Sequence, residues 1–255
     1  MYYTTGLNET LFDYLLEQIT LIDPRPQRST GRPQALSLAL KLEITLTYLR
    51  QNRVQCELAE AYGVHQTTIS DVIITYTPLV ATALQDYIPT ADNLHDTDQL
   101  VIDGTLVPCW SWKTHREDYS GKHKTTGLNL QVASTIGGQM AWISDPTPGA
   151  THDTTALRQS GLLDTPDPVG HIGDKGFQGL GMITPVKKKP SWDHIPQDIR
   201  EFNTEVSRIR SVVERKIAHL KDWKILKTDY RRPHRTHPET ITAVIGLVFL
   251  KESLP

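Results

Sequence analysis

The apolar positions in the first third of the chain recur at helical spacing. An amphipathic segment, LFDYLLEQI (residues 11–19), comes first, and the proline-containing DPRPQRSTGRPQ (23–34) that follows it is typical of a linker. A longer helix is then predicted over residues 36–50, where leucines recur every three or four positions (Leu38, Leu42, Leu46 and Leu49). VQCELAEAY (54–62) predicts a second, shorter helix of this group.

A third helix of the group is predicted after Gly63, with Thr67 or Thr68 as its N-cap. The small and apolar positions of this region resemble a helix-turn-helix (Ala59, Gly63, Val64, Ile69 and Val72). The alternative is a three-helix packing unit with no role in DNA binding. The start of the predicted third helix offers Gln66, Thr67 and Thr68 for base-edge contacts but no Lys or Arg, so attraction to phosphates has to come from elsewhere.

In the second half of the chain, the apolar positions no longer recur at helical spacing. Short apolar or alternating runs at 100–110, 128–136 and 141–144 predict three consecutive strands. They are followed by a predicted helix over 151–163, a strand that ends at Asp174 and another over 182–187. Two helices, from about 197 to 223 and from 238 to about 250, close the chain. This order predicts an α/β fold with a mixed sheet flanked by helices.

The cysteines and the longest apolar run indicate in which compartment the protein works. Cys56 and Cys109 lie far apart and belong to no zinc-spaced cluster, so we expect reduced thiols. The apolar run AVIGLVFL is too short to span a bilayer, and we expect a soluble intracellular protein without a membrane partner.

Charge is unevenly distributed along the chain. Residues 1–99 carry 6 Lys or Arg against 12 Asp or Glu, whereas residues 187–235 carry 14 against 7. The second region suits a polyanion, although a solvated helix face explains it as well.

Three acids stand out against this background. Asp103 interrupts the apolar strand LVIDGTLV, where a carboxylate is costly to bury without a partner or a metal. Asp174 follows a strand in GHIGDKGF; the alternative is a plain turn residue. Glu214 is the single acid of RIRSVVERKIAHLK (208–221) and borders the apolar stripe of that helix; the alternative is an exposed ion pair with Arg210. If the three acids converge, divalent metal ions would relieve their repulsion. Mg²⁺ or Mn²⁺ suits such oxygen ligands, and we expect two ions.

In combination, these motifs resemble the DDE-type transposases of bacterial insertion sequences, in the subgroup related to Harbinger transposases. The resemblance rests on VIDGT, YSGKHKTTGLNLQV, PGATHDTTALRQSGLL and GDKGF, and on the spacing of Arg210, Glu214 and Lys221. It implies a ribonuclease-H-like catalytic core at 96–255, a helix-turn-helix module at 31–95, and an N-terminal helix with a linker at 1–30.

The resemblance also implies residue roles and partners. Asp103, Asp174 and Glu214 would hold the metal ions, while Lys122, Lys124, Arg210 and Lys221 would contact phosphates. The implied reaction is cleavage of double-stranded DNA at the inverted repeats of a mobile element, followed by attack of the freed 3′-hydroxyl on target DNA. A homo-oligomer in the bacterial cytoplasm, associated with the nucleoid, is implied as well.

Several alternatives stay open. His152 and Asp153 either support the site or are a helix cap or loop pair. A transposase-derived DNA-binding regulator would bind without cutting, and a nuclease on the same core would cut without joining. A purely structural interaction protein would leave Asp103 unexplained.

Overall fold

The computed structural model describes residues 2–23, 36–94, 99–110, 114–164 and 170–254. The chain divides into two compact units, which we call the helical unit (Met1–Ile88 with Lys221–Pro255) and the sheet unit (Pro89–Leu220). The predicted linker at 23–34 lies outside the described residues except for Asp23. The predicted division between residues 95 and 96 stays a prediction about domains; packing groups residues 221–254 with the N-terminal helices.

The helical unit contains seven described α-helices: α1 (Tyr2–Thr5), α2 (Glu9–Ile22), α3 (Leu38–Gln51), α4 (Gln55–Ala61), α5 (Gln66–Ala83), α8 (Lys224–Lys227) and α9 (His237–Ser253). Asn8 caps α2 by accepting a hydrogen bond from the backbone N–H of Leu11 at 2.8 Å, and Ser37 caps α3 in the same way through Leu40. The helices predicted over 11–19, 36–50 and 54–62 are therefore confirmed.

The start of α5 differs from the prediction. Gly63 has φ +63°, a left-handed conformation that glycine adopts without strain, and it separates α4 from α5. The N-cap is His65, whose imidazole accepts from the backbone N–H of Thr67. Thr67 and Thr68 lie inside the first turn, so the prediction that either of them caps this helix is wrong.

The last helix completes the helical unit. α9 is buried on nearly all its faces, including Ile241, Val244 and Leu247, and it packs against α5. Gly246 permits a close approach, because a Cβ there would lie 2.6 Å from the Cβ of Leu84. The helix predicted over 238–250 is confirmed. Among the described residues, no helix combines the length and apolar character needed to cross a membrane.

The sheet unit is built on five described strands: β1 (Leu100–Pro108), β2 (Tyr119–Ser120), β3 (Thr125–Thr135), β4 (Met140–Ile143) and β5 (Thr147–Pro148). β3 is central and pairs antiparallel with all four others. The three consecutive strands predicted at 100–110, 128–136 and 141–144 correspond to β1, β3 and β4 and are confirmed.

The two later strands predicted from the sequence are reduced to short pairings. Ile172 forms a parallel bridge to Val101 of β1 and another to Ile183. Its backbone N–H donates to Leu100 at 2.8 Å, and its carbonyl accepts from Ile102 at 2.8 Å. The pairing ends there because Asp174 already begins a 3₁₀ turn over Lys175–Phe177.

Two helices pack on the sheet. α6 (Asp153–Gln159) contributes Leu157 to a buried cluster with Leu100, Ile102 and Phe177. α7 (Gln197–Leu220) packs on β1 and β3 and buries Val206, Val213 and Leu220. The predicted helix at 151–163 is shorter than expected, and the one at 197–223 ends at Leu220.

Candidate active site

Asp103 is the acid that the β-sheet presents toward α7. Its side chain is 18% exposed, and its Oδ2 accepts a hydrogen bond from Nη2 of Arg210 at 3.3 Å. Its Oδ1 accepts from the backbone N–H of Gly104 at 2.9 Å. The costly carboxylate in the apolar strand thus has a cationic partner, supplied by the helix that covers β1.

Asp174 acts on Asp103 through its charge. Burial raises the pKa of Asp103, the Arg210 guanidinium opposes that effect, and the negative charge of Asp174 adds to it. Asp174 itself is half-buried and caps the Lys175–Phe177 turn, because its Oδ1 accepts from the backbone N–H of Gly176 at 2.7 Å. Asp174 is therefore a turn residue, as the alternative interpretation predicts, and its charge also acts on Asp103.

Glu214 lies one helical turn after Arg210 on α7, and its side chain is exposed. Residues four apart on a helix share a face, so Glu214 neighbours the residue that reaches Asp103. Within the described part of the chain, no ion pair joins Arg210 to Glu214, since Arg210 pairs with Asp103 instead. The interpretation of Glu214 as half of an Arg210 ion pair is therefore not what the structure contains.

A second polar cluster lies around Asp153, the first residue of α6. Its carboxylate accepts a hydrogen bond from Nζ of Lys122 at 2.9 Å and another from Nδ2 of Asn129 at 2.9 Å. Gly104 makes room for it, because a Cβ at that position would lie 2.8 Å from Oδ1 of Asp153. The N-cap of α6 is His152, which makes no side-chain cap; Asp153 binds a lysine instead of capping the helix.

The ionisation of this cluster follows from its contacts. Burial works to raise the pKa of Asp153, but the hydrogen bonds from Lys122 and Asn129 and the lysine charge outweigh burial and lower it. The hydrogen bond to Asp153 raises the pKa of Lys122, and the charges of Asp174 and Asp103 act in the same direction. Lys122 therefore lies in the negative field of both predicted metal-binding aspartates.

The other predicted DNA-contacting residues belong to different elements of the two units. Lys124 is exposed in the turn before β3, with φ +53°. Gln66, Thr67 and Thr68 form the first turn of α5 in the helical unit, with Gln66 and Thr67 exposed. Lys221 follows the last residue of α7 and also belongs to the helical unit.

Two residues of the cluster around Asp153 were not predicted from the sequence. Asn129 lies on β3 and orients Asp153, and Gly104 supplies the space for its carboxylate. A signal for Asn129 was present, since it interrupts the apolar run LNLQVA as Asp103 interrupts its own strand. Gly104 gave no comparable signal, because a glycine after Asp103 is equally typical of a strand irregularity.

Known proteins show which family this chain resembles. Residues 102–248 match the family described as DDE superfamily endonuclease. A relative from Streptomyces albus G, named as a transposase for insertion sequence element IS112, is 28% identical over 198 residues, covering 77% of this chain and 74% of that protein. Another from Microchaete diplosiphon, named as a transposase for IS702, is 23% identical over 241 residues, covering 91% and 86% respectively. No solved structure matches. The chain belongs to the DDE superfamily endonucleases.

Proposed function

We propose that this protein is a DNA transposase that cuts the ends of its mobile element and joins the freed 3′-hydroxyl to target DNA. The observation that carries the proposal is the half-buried Asp103 in β1, within the field of Asp174 and beside the helix that bears Glu214. Relatives named as insertion-sequence transposases support the same activity.

The carboxylate oxygens of the three acids are the ligand type that suits divalent metal ions. Burial raises the pKa of Asp103, and the negative charge of Asp174 adds to that effect; a shared cation would relieve both. Their ligand atoms are hard carboxylate oxygens, which Mg²⁺ and Mn²⁺ prefer. We infer that Asp103, Asp174 and Glu214 hold the ions, which in a pair would stabilise the attacking and leaving oxygens of the phosphodiester.

The surrounding cations have separate tasks in this proposal. Arg210 orients Asp103 by donating to its Oδ2 and offsets part of its charge. Lys122, anchored through Asp153 to Asn129, carries a positive charge that lies within the field of the two aspartates. Phosphoryl transfer depends mainly on positioning and on offsetting charge, so both residues serve the scissile phosphate, with Lys124 as a further contact.

The topology supports a ribonuclease-H-like core. Antiparallel β4, β3 and β1 are followed by the parallel pairing of Ile172 beside β1, and the acids lie on β1, after Ile172 and on α7. In the helical unit, α3, α4 and α5 with the left-handed turn at Gly63 support a helix-turn-helix whose exposed first turn contacts base edges. We further propose that the protein acts as a homo-oligomer, since two DNA ends have to be joined.

The experiment that tests the proposal exchanges Glu214 for Gln. Glu214→Gln keeps the size of the exposed side chain and removes its charge, so DNA binding should persist while metal-dependent cleavage is lost. The matched control is Glu205→Gln on the same helix, whose exposed carboxylate pairs only with neighbouring Arg208 among the described residues. Gel-resolved cleavage of end DNA in Mg²⁺ measures both variants. Full activity of Glu214→Gln would remove Glu214 from the mechanism.

A further inference from the structure

The helical unit contains a basic pocket. Its lining includes two tyrosines from α1 and four cations from the end of α3, the residue after α7, and α8 (Tyr2, Tyr3, Arg50, Lys221, Lys224 and Lys227). We call these six residues the basic pocket. All of them belong to one compact unit.

Four cations and one acid line the basic pocket. The acid that lines it with these cations is Asp222, which is 4.0 Å from Arg50 and largely exposed. Burial lowers the pKa of Lys221, and the positive charge of Lys227 lowers it further. Crowding like charges is unfavourable unless an anion offsets them, so this surface suits a phosphate.

The basic pocket is also held in shape. The Arg50 side chain is 17% exposed, and its guanidinium carbon lies 5.5 Å from the centroid of the Trp223 ring. Lys224 donates to the side chain of Gln51 at 3.0 Å, and Gln51 donates to the backbone carbonyl of Tyr3 at 2.7 Å. Two cations are thereby fixed before any ligand arrives, which reduces the entropy lost on binding.

Tyr3 contributes an exposed aromatic ring to the lining of the basic pocket. Tyr3 is 88% exposed, and its ring meets that of Tyr2 edge-on at 6.0 Å between centroids. Its outer face is therefore available to a flat group from solution. A basic groove with exposed aromatic rings is the combination by which proteins bind single-stranded nucleic acid, because every base can stack on a ring.

We propose that the basic pocket binds single-stranded DNA, with a backbone phosphate held by Arg50, Lys224 and Lys227 and an unpaired base stacked on Tyr3. This inference rests on the proposed function for the choice of DNA as the polyanion. It adds a strand-binding site built from residues of the helical unit, whereas the three acids belong to the sheet unit.

The test is fluorescence anisotropy with the full chain in EDTA, using a labelled duplex with a single-stranded overhang and the same duplex with blunt ends. Tyr3→Ala should weaken binding of the overhang DNA by about 5-fold to 150-fold and leave the blunt duplex unchanged. Affinity falls as salt rises, and Lys224→Gln with Lys227→Gln should make the negative slope of log affinity against log salt less steep by about two. Lys227→Gln alone should make it less steep by about one; this residue is exposed at the end of α8.

The matched control is Arg116→Gln with Arg158→Gln, two exposed arginines of the sheet unit that lie outside the basic region 187–235. Thermal unfolding of each variant verifies that it folds. Equal losses in the control and the pocket variants would overturn the proposal, and so would a Tyr3→Ala loss that is the same for both DNAs. Wild-type cleavage with unaltered binding by the pocket variants would refute this inference alone. Weakened overhang binding without any wild-type cleavage would support the pocket and refute the transposase.

Discussion

Replacing Asp153 with Asn should destabilise the sheet unit in a pH-dependent manner. The carboxylate accepts from partly buried Asn129, and a hydrogen bond to a charged group contributes about 1.5 to 3 kcal/mol. Lys122 adds little, because its side chain is 58% exposed and water screens the pair to about 0.5 kcal/mol. Asn retains one acceptor oxygen, so we expect a loss of about 2 kcal/mol near neutral pH.

The sign of the pH dependence follows from the lowered pKa of Asp153. A carboxyl group whose pKa is lower in the folded state stabilises the fold above its unfolded pKa of about 3.9 and loses that contribution as the pH falls through the folded value. The difference between wild type and Asp153→Asn should therefore be full near pH 7 and shrink progressively below about pH 4.

Urea unfolding at several pH values measures this difference. Asp193→Asn, at an exposed aspartate of the same unit, is the control and should differ little from wild type at any pH. A difference for Asp153→Asn that stays constant down to about pH 3 would refute the reasoning, because it would show that the ionised carboxylate is not what stabilises the fold.

Two further substitutions test the packing and electrostatics of the site. Gly104→Ala would place a Cβ 2.8 Å from Oδ1 of Asp153 and should cost about 1 to 3 kcal/mol in urea unfolding, whereas Gly121→Ala, with open space around it, should be near neutral. Arg210→Met should lower the midpoint of thermal unfolding near pH 7 by leaving the Asp103 carboxylate without its cation, and added Mg²⁺ should restore part of the loss. No recovery in Mg²⁺ would argue against a cation site at Asp103.

The secondary structure around Asp103 and Glu214 could be predicted from the sequence. Asp103 was placed on a strand because apolar residues surround it, and Glu214 on a long helix because Val206 and Val213 recur at helical spacing; both placements are confirmed. Local patterns suffice for such positions, since burial of one face dictates the period.

Contacts between distant segments were not predictable in the same way. The ion pair of Lys122 with Asp153 depends on where the turn before β3 meets the start of α6, and no periodicity encodes that meeting. Likewise, nothing in the segment after α7 indicated that Lys221 packs with the N-terminal helices. His65 replaced the predicted threonine cap because the helix begins one residue before Thr67, a difference smaller than the precision of helix boundaries.

The measurement that tests the central claim most directly is strand cleavage of DNA that spans the gene's own flanking inverted repeats, with wild type beside Asp174→Ala in Mg²⁺ or Mn²⁺. Our account predicts metal-dependent cuts at the repeat ends and joined products with target DNA for wild type, and neither for the variant. Cuts without joined products would indicate a nuclease on the same core. Tight binding of end DNA without cleavage in either metal would contradict the account and favour a DNA-binding regulator.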